Sequence, residues 1–251
     1  MSYTIAIAGK GGTGKTTFTA LLVKLLKEKK HGSILAVDAD PNSNLDEALG
    51  IKAGNTVGGI INEIAAHPDK IPAGMSKDRF IEYEVQSAVI EGDGFDLLTM
   101  GRPEGPGCYC YVNNVLRNIV EKLMQEYSYI IIDNEAGFEH LARRTSRSAD
   151  TLVVISDAAP AGLKAANRIN ELVNELQIKN KKRFLIINRY DNSLKTVEQK
   201  IESLKLDLDY IGNIPDDENL MQASLNGSSV ISIKNDAPSI AALKKLIDKI
   251  L

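Results

Sequence analysis

Nine residues near the N-terminus, Gly9-Lys10-Gly11-Gly12-Thr13-Gly14-Lys15-Thr16-Thr17, constrain this chain more than any other stretch. They follow directly on Tyr3–Ala8, a β-branched apolar run, and lead into Lys15–Lys30, where apolar residues recur at helical spacing. Glycines at positions 9, 11, 12 and 14 let the backbone turn tightly and aim its N–H groups inward. The helix that follows adds the positive end of its dipole, so strand, loop and helix together make a cradle for phosphates. In this spacing Lys15 reaches the terminal phosphates and Thr16 offers a hydroxyl to Mg²⁺.

The rest of the chain repeats the strand–helix theme. Ser33–Val37, Phe95–Met100, Tyr129–Ile132, Thr151–Ile155 and Arg183–Ile187 read as further strands of about five residues, apolar nearly throughout. Val112–Glu126, Ala161–Leu176 and Leu194–Leu204 show helical spacing between them. Such alternation predicts an α/β fold: a mostly parallel sheet flanked by helices, wound by right-handed crossovers. Lys52–Gly94 is the least regular stretch and reads as helices inserted beside the sheet. No repeat, low-complexity tract or Pro/Gly/Ser linker divides the sequence, so residues 1–251 are expected to form one domain.

Composition narrows the function classes. Of 251 residues 43% are hydrophobic and 25% charged, which excludes a disordered tail or a fibre. A net charge of −3 without a basic run argues against nucleic acid as a partner. No apolar run approaches the roughly 20 residues a membrane-spanning helix needs, and Met1–Ala6 runs straight into a strand pattern without a signal peptide. The expected location is the cytoplasm, where a pair of cysteines points to metal or redox chemistry rather than a disulfide.

Acids and amides close the expected strands. Val37-Asp38-Ala39-Asp40-Pro41 and Tyr129-Ile130-Ile131-Ile132-Asp133 put carboxylates at the carboxyl ends of strands, where α/β sheets bind ligands. Asp133 also suits a helix N-cap. Asn134-Glu135-Ala136-Gly137 continues from the second, Asn188-Arg189 follows the last strand, and Ile214-Pro215-Asp216 lies beyond it. Taken alone, Asn188 reads equally as a turn residue.

With Lys10 in the loop, these segments resemble the deviant Walker A ATPases, which include nitrogenase iron protein, MinD and ParA. The resemblance implies ATP/ADP and Mg²⁺ held by Gly11, Gly12, Thr13, Gly14, Lys15, Thr16 and Thr17, with Thr13 in place of a common valine. It implies that Lys10 crosses a homodimer to the partner's nucleotide, although a solvated loop lysine looks the same in sequence. It further implies that Asp40 positions the attacking water, that Asp38 lies near Lys15 and the Mg²⁺ shell, and that Asp133 is the Walker B acid. Gly137 would follow the γ-phosphate, Asn188 and Arg189 would read adenine, and Pro215 would belong to the adenine-side loop.

The only cysteines are Cys108 and Cys110, in Gly105-Pro106-Gly107-Cys108-Tyr109-Cys110-Tyr111. Soft thiolates select Zn²⁺, Ni²⁺ or Cu⁺, but closed tetrahedral thiolate sites need four ligands. A two-fold dimer supplies two from each chain. Two small apolar core residues would also explain the pair. Gly101–Cys110 together with Asp133-Asn134-Glu135-Ala136-Gly137-Phe138-Glu139-His140 resembles the CooC/AcsF family of nickel-insertion ATPases. That resemblance implies Ni²⁺ (or Zn²⁺) on Cys108 and Cys110 at a homodimer interface, and carbon monoxide dehydrogenase or acetyl-CoA synthase as client; His140 is left out of the site. Two other readings compete. One is an iron–sulfur redox ATPase, although a two-residue cysteine spacing departs from it. The other is a MinD-like positioning ATPase that anchors to membrane through the stripe Ile240, Leu243, Leu246, Ile247, Ile250 and Leu251, flanked by Lys244, Lys245 and Lys249. Such a stripe also suits a last helix packed on the sheet.

Overall fold

Among the described residues eight strands form one sheet: β1 (Tyr3–Gly9), β2 (Ile34–Asp38), β3 (Ile90–Glu91), β4 (Asp96–Thr99), β5 (Tyr129–Asp133), β6 (Thr151–Ser156), β7 (Lys182–Asn188) and β8 (Asp209–Ile214). Their order is β3-β4-β2-β5-β1-β6-β7-β8, parallel throughout except for the antiparallel edge pair β3–β4. The expected α/β class is therefore observed. The computed structural model describes residues 2–251 apart from 31, 41, 43, 53, 102–117, 136–148, 179, 191–193 and 205. Cys108, Cys110, Gly137, His140 and the start of the helix expected at Val112–Glu126 lie outside the described residues.

Strands β1, β2, β5 and β6 are buried almost end to end because helices cover both faces of the sheet. Alternate residues feed two separate cores. Ile5, Ile7, Ala36, Ile131 and Val153 pack under helix α1 (Lys15–Glu28) and the short α2 (Leu45–Leu49). Ala6, Ala8, Val37, Ile132 and Val154 pack on the opposite face, under α3 (Val57–Ala66), α4 (Lys77–Ser87), α5 (residues 118–124), α6 (Pro160–Glu175) and α7 (Leu194–Leu204). Helix α1 is buried on most sides, from Phe18 to Leu26, so its start and the loop before it are held rigidly.

The irregular stretch 52–94 does hold helices beside the sheet, α3 and α4. Strand β8 and the helix after it, α8 (Glu218–Leu225), were not expected from the sequence. The C-terminal stripe belongs to α9 (Pro238–Ile250), whose Ile240, Leu243, Ile247 and Ile250 are fully buried in the α1-side core. Of the two readings of that stripe, the last helix packed on the sheet is the one observed. Among the described residues no helix is long and apolar enough to cross a membrane.

Candidate nucleotide site

The loop after β1 lies at the middle of the sheet's carboxyl edge, the crevice in which parallel α/β sheets take ligands. Gly14 caps α1 in the left-handed region, φ 90°. A Cβ there would stand 2.4 Å from Asn188 Nδ2, so only glycine fits. Thr13 closes the loop on itself: its N–H and its Oγ1 both donate to the Lys10 carbonyl, at 3.3 and 2.8 Å. Lys15 is buried, and its Nζ donates to that same carbonyl at 3.4 Å, so its ammonium lies over the loop. Lys10, Gly11 and Gly12 are exposed, and the Lys10 side chain makes no hydrogen bond or ion pair with the described residues.

Three carboxyls gather beside this loop. Asp133, at the end of β5, is buried, and burial pushes its carboxyl up to about 6 against the pull of the Thr16 hydroxyl and the Lys15 charge. One of its oxygens is buried without a hydrogen-bond partner. Asp38, the β5 register partner of Asp133 at the end of β2, is pushed up to about 7 by burial and by the Asp133 charge. Both Asp38 oxygens are taken by backbone N–H groups, Asp40 at 3.1 Å and Leu45 at 3.0 Å. Asp38 thus shapes the turn from β2 into α2, while the Lys15 charge acts on Asp133. Asp40 is half-buried and accepts from the Asn42 N–H at 2.9 Å.

The buried, unpartnered Asp133 oxygen, on a carboxyl beside Thr16, suits a hard divalent cation. Among the described residues no set of three or more His, Cys, Asp or Glu side chains would cage a metal. Mg²⁺ takes one or two protein oxygens and completes its shell with phosphate and water. Thr16 and Asp133 would hold it, and when bound it supplies neutralising charge to the phosphates.

Next to the loop opens a cavity of about 390 Å³ lined by Thr17, Phe18, Asn188, Arg189, Pro215 and Leu220, among others. The structure thus brings Asn188, Arg189 and Pro215, far from it in sequence, to the flank of the phosphate loop. The Asn188 side chain donates its Nδ2–H to the Thr13 carbonyl at 2.8 Å. Arg189 holds a positive φ of 54°, an uncommon backbone for a non-glycine residue.

Two contributions went unseen in the sequence. Helix α8 supplies the outer wall of the cavity through Leu220, Met221 and Leu225; the i, i+4 pair Met221 and Leu225, still exposed, was the available signal. The other is the tie made by Asn134, which the sequence places in the segment after β5 without showing this bond: its Nδ2 donates to the Ile7 carbonyl at 2.8 Å and links the chain after β5 to the phosphate-loop strand.

Residues 4–230 match the CbiA family, described as the CobQ/CobB/MinD/ParA nucleotide binding domain. The chain belongs to this family. Like its members it is a P-loop ATPase. An uncharacterized ATP-binding protein of Methanocaldococcus jannaschii is 41% identical over 251 residues, 98% of each chain. The carbon monoxide dehydrogenase accessory protein CooC of Rhodospirillum rubrum is 28% identical over 70% of each. Among solved structures, the septum site-determining protein MinD of Pyrococcus horikoshii, complexed with Mg-ADP, superposes with a TM-score of 0.70 at 19% identity, covering 99% of this chain and 96% of that one. At that identity the likeness speaks for the CbiA-family fold alone.

Proposed function

We propose that this CbiA-family ATPase is a metallochaperone that carries nickel on Cys108 and Cys110, shared across a homodimer, to carbon monoxide dehydrogenase or acetyl-CoA synthase. The observation that carries the reading is the Cys-x-Cys pair on the segment that leaves β4. Strand β4 is parallel to β2 and β5, so its chain exits at the same carboxyl edge as the phosphate loop. The similarity to CooC, an accessory protein of carbon monoxide dehydrogenase, supports the same client class.

In this reading Gly11 to Thr17 hold the phosphates, Thr16 and Asp133 hold Mg²⁺, and Asp40 orients the attacking water. Lys15 supplies charge to the γ-phosphate in its own subunit, and Lys10, exposed at the loop's rim, supplies it to the partner's. Asn188, Arg189 and Pro215 take the base. Nickel or zinc is the cargo, bound by thiolates that lose their protons as it binds.

A MinD-like positioning role is the second reading, favoured by a Bacillus subtilis MinD 26% identical over 94% of this chain. The buried apolar face of α9 removes one way such a protein would grip a membrane. Anaerobic equilibrium dialysis against Ni²⁺, with and without ATP, separates the two. The metallochaperone reading requires tight binding that is abolished in Cys108→Ser and Cys110→Ser. Equal, weak binding by all three proteins would leave the positioning role.

A further inference from the structure

The Asn188 side chain touches two things at once. It lines the cavity beside the loop, and its Nδ2 donates to the Thr13 carbonyl at 2.8 Å. Gly14, the next residue, is so close that a Cβ would stand 2.4 Å from the same nitrogen. Asn188 is itself firmly held. It is the last residue of β7, pairs with Ile214 in the β7–β8 ladder, and is followed by Arg189 at a positive φ of 54°.

The peptide between Thr13 and Gly14 is planar and trans, so its C=O and N–H point in opposite directions. A donor that fixes the Thr13 carbonyl on the cavity side therefore turns the Gly14 N–H away from the cavity. That N–H has no backbone or side-chain acceptor among the described residues, and it stands at the start of α1, where anions gather. The other end of the loop is tied by the Thr13 N–H and Oγ1 to the Lys10 carbonyl. Among the described residues Asn188 is the side chain whose hydrogen bond holds the Thr13 carbonyl on the cavity side.

We infer that Asn188 is a positioning residue for the phosphate loop: it sets the Thr13–Gly14 peptide, and so couples the base cavity to the phosphate cradle. Base recognition alone would confine its effect to ligands that carry a base. Positioning extends the effect to ligands that are phosphate only. This inference needs nucleotide binding at the loop and stands or falls separately from the metal reading.

Calorimetric titration with Mg²⁺ and inorganic tripolyphosphate, a probe without base or sugar, makes the test. Asn188→Leu keeps the volume and removes the donor, and it should weaken tripolyphosphate binding about five-fold, the loss of one net hydrogen bond. Leu220→Ala, on the far cavity wall, should weaken ATP and leave tripolyphosphate unchanged. If Asn188→Leu does not fold, Asn188→Ser, too short to span to Thr13, is read the same way. Tripolyphosphate affinity equal to wild type in a folded Asn188 variant that has lost ATP affinity would overturn the proposal.

Discussion

Asp38 and Asp133 are direct partners in the β2–β5 ladder, so two buried carboxyls stand side by side at the carboxyl edge of the sheet. Their ordinary value is 3.8; in the fold they are pushed up to about 7 and about 6. A carboxyl raised in this way favours the folded state when protonated. Its contribution is full below pH 4 and is lost as pH rises through 6 and 7. The nucleotide-free protein should therefore lose thermal stability between pH 4 and pH 7, and Asp133→Asn should flatten that slope and raise Tm at pH 8. Added Mg²⁺ and nucleotide should flatten it in the wild type, because they bring the missing positive charge. Thermal unfolding across the pH series checks this, and an Asp133→Asn protein with the wild-type slope would speak against it.

Lys15 and Asp40 should separate binding from chemistry. Lys15 lies over the loop with its ammonium on the Lys10 carbonyl; in the proposed role it would meet phosphates in ground and transition states alike. Lys15→Ala is expected to weaken ATP binding itself. Asp40→Ala should bind ATP nearly as the wild type does and lose hydrolysis by 10²-fold or more, on the order of a general base. Fluorescent-nucleotide titration and phosphate release measure the two effects, and wild-type turnover by Asp40→Ala would remove it from the mechanism.

Lys10 is exposed and makes no ion pair with the described residues of its own chain; the proposed function has it act on the partner's nucleotide. Charge supplied in trans to a transferring phosphoryl group is worth roughly 10³–10⁵ in rate. Lys10→Ala should lower kcat steeply. Mixed with Lys15→Ala subunits it should regain activity, because one site then has its own Lys15 and the partner's Lys10. Mixed dimers that form and stay inactive would place Lys10 outside the partner's site.

The α9 stripe is structural. Leu243 is fully buried against α1 and the sheet, and Leu243→Ala should cost about 2–5 kcal/mol of stability by denaturant unfolding. Liposome co-sedimentation of the folded wild type should show no binding through this helix. Wild-type stability in the variant would mean that the stripe packs loosely and is open to another partner.

The phosphate loop was legible because its information is local: glycines, Lys15 and Thr16 sit within nine residues, between a strand and a helix of clear period. The central strands were legible for a related reason, since burial on both faces makes them apolar without interruption. Strand β8 escaped because Asp209-Tyr210-Ile211-Gly212-Asn213-Ile214 is only half-buried at the sheet edge and mixes polar with apolar residues. The use of both Asp38 oxygens on the Asp40 and Leu45 N–H groups was hidden for another reason, because a turn's hydrogen bonds depend on geometry that composition does not carry. Asn188 showed one half of its surroundings in sequence, its place after a strand. Its contact with Thr13 exists only because the order β1-β6-β7 brings residues 175 positions apart together.

A metal shared between two chains, as proposed, fixes the number of ions per dimer at one. Native mass measurement during anaerobic Ni²⁺ titration should show one ion per two chains, with dimer rising in step with metal. Affinity should fall as pH drops below neutrality, since free thiols near pKa 8.5 must release protons to bind. Cys110→Ser, which removes two of four thiolates through the two-fold axis, should abolish metal-driven dimers and leave ATP binding intact. One ion bound tightly per monomer, or dimers that still form on nickel in Cys110→Ser, would contradict the account.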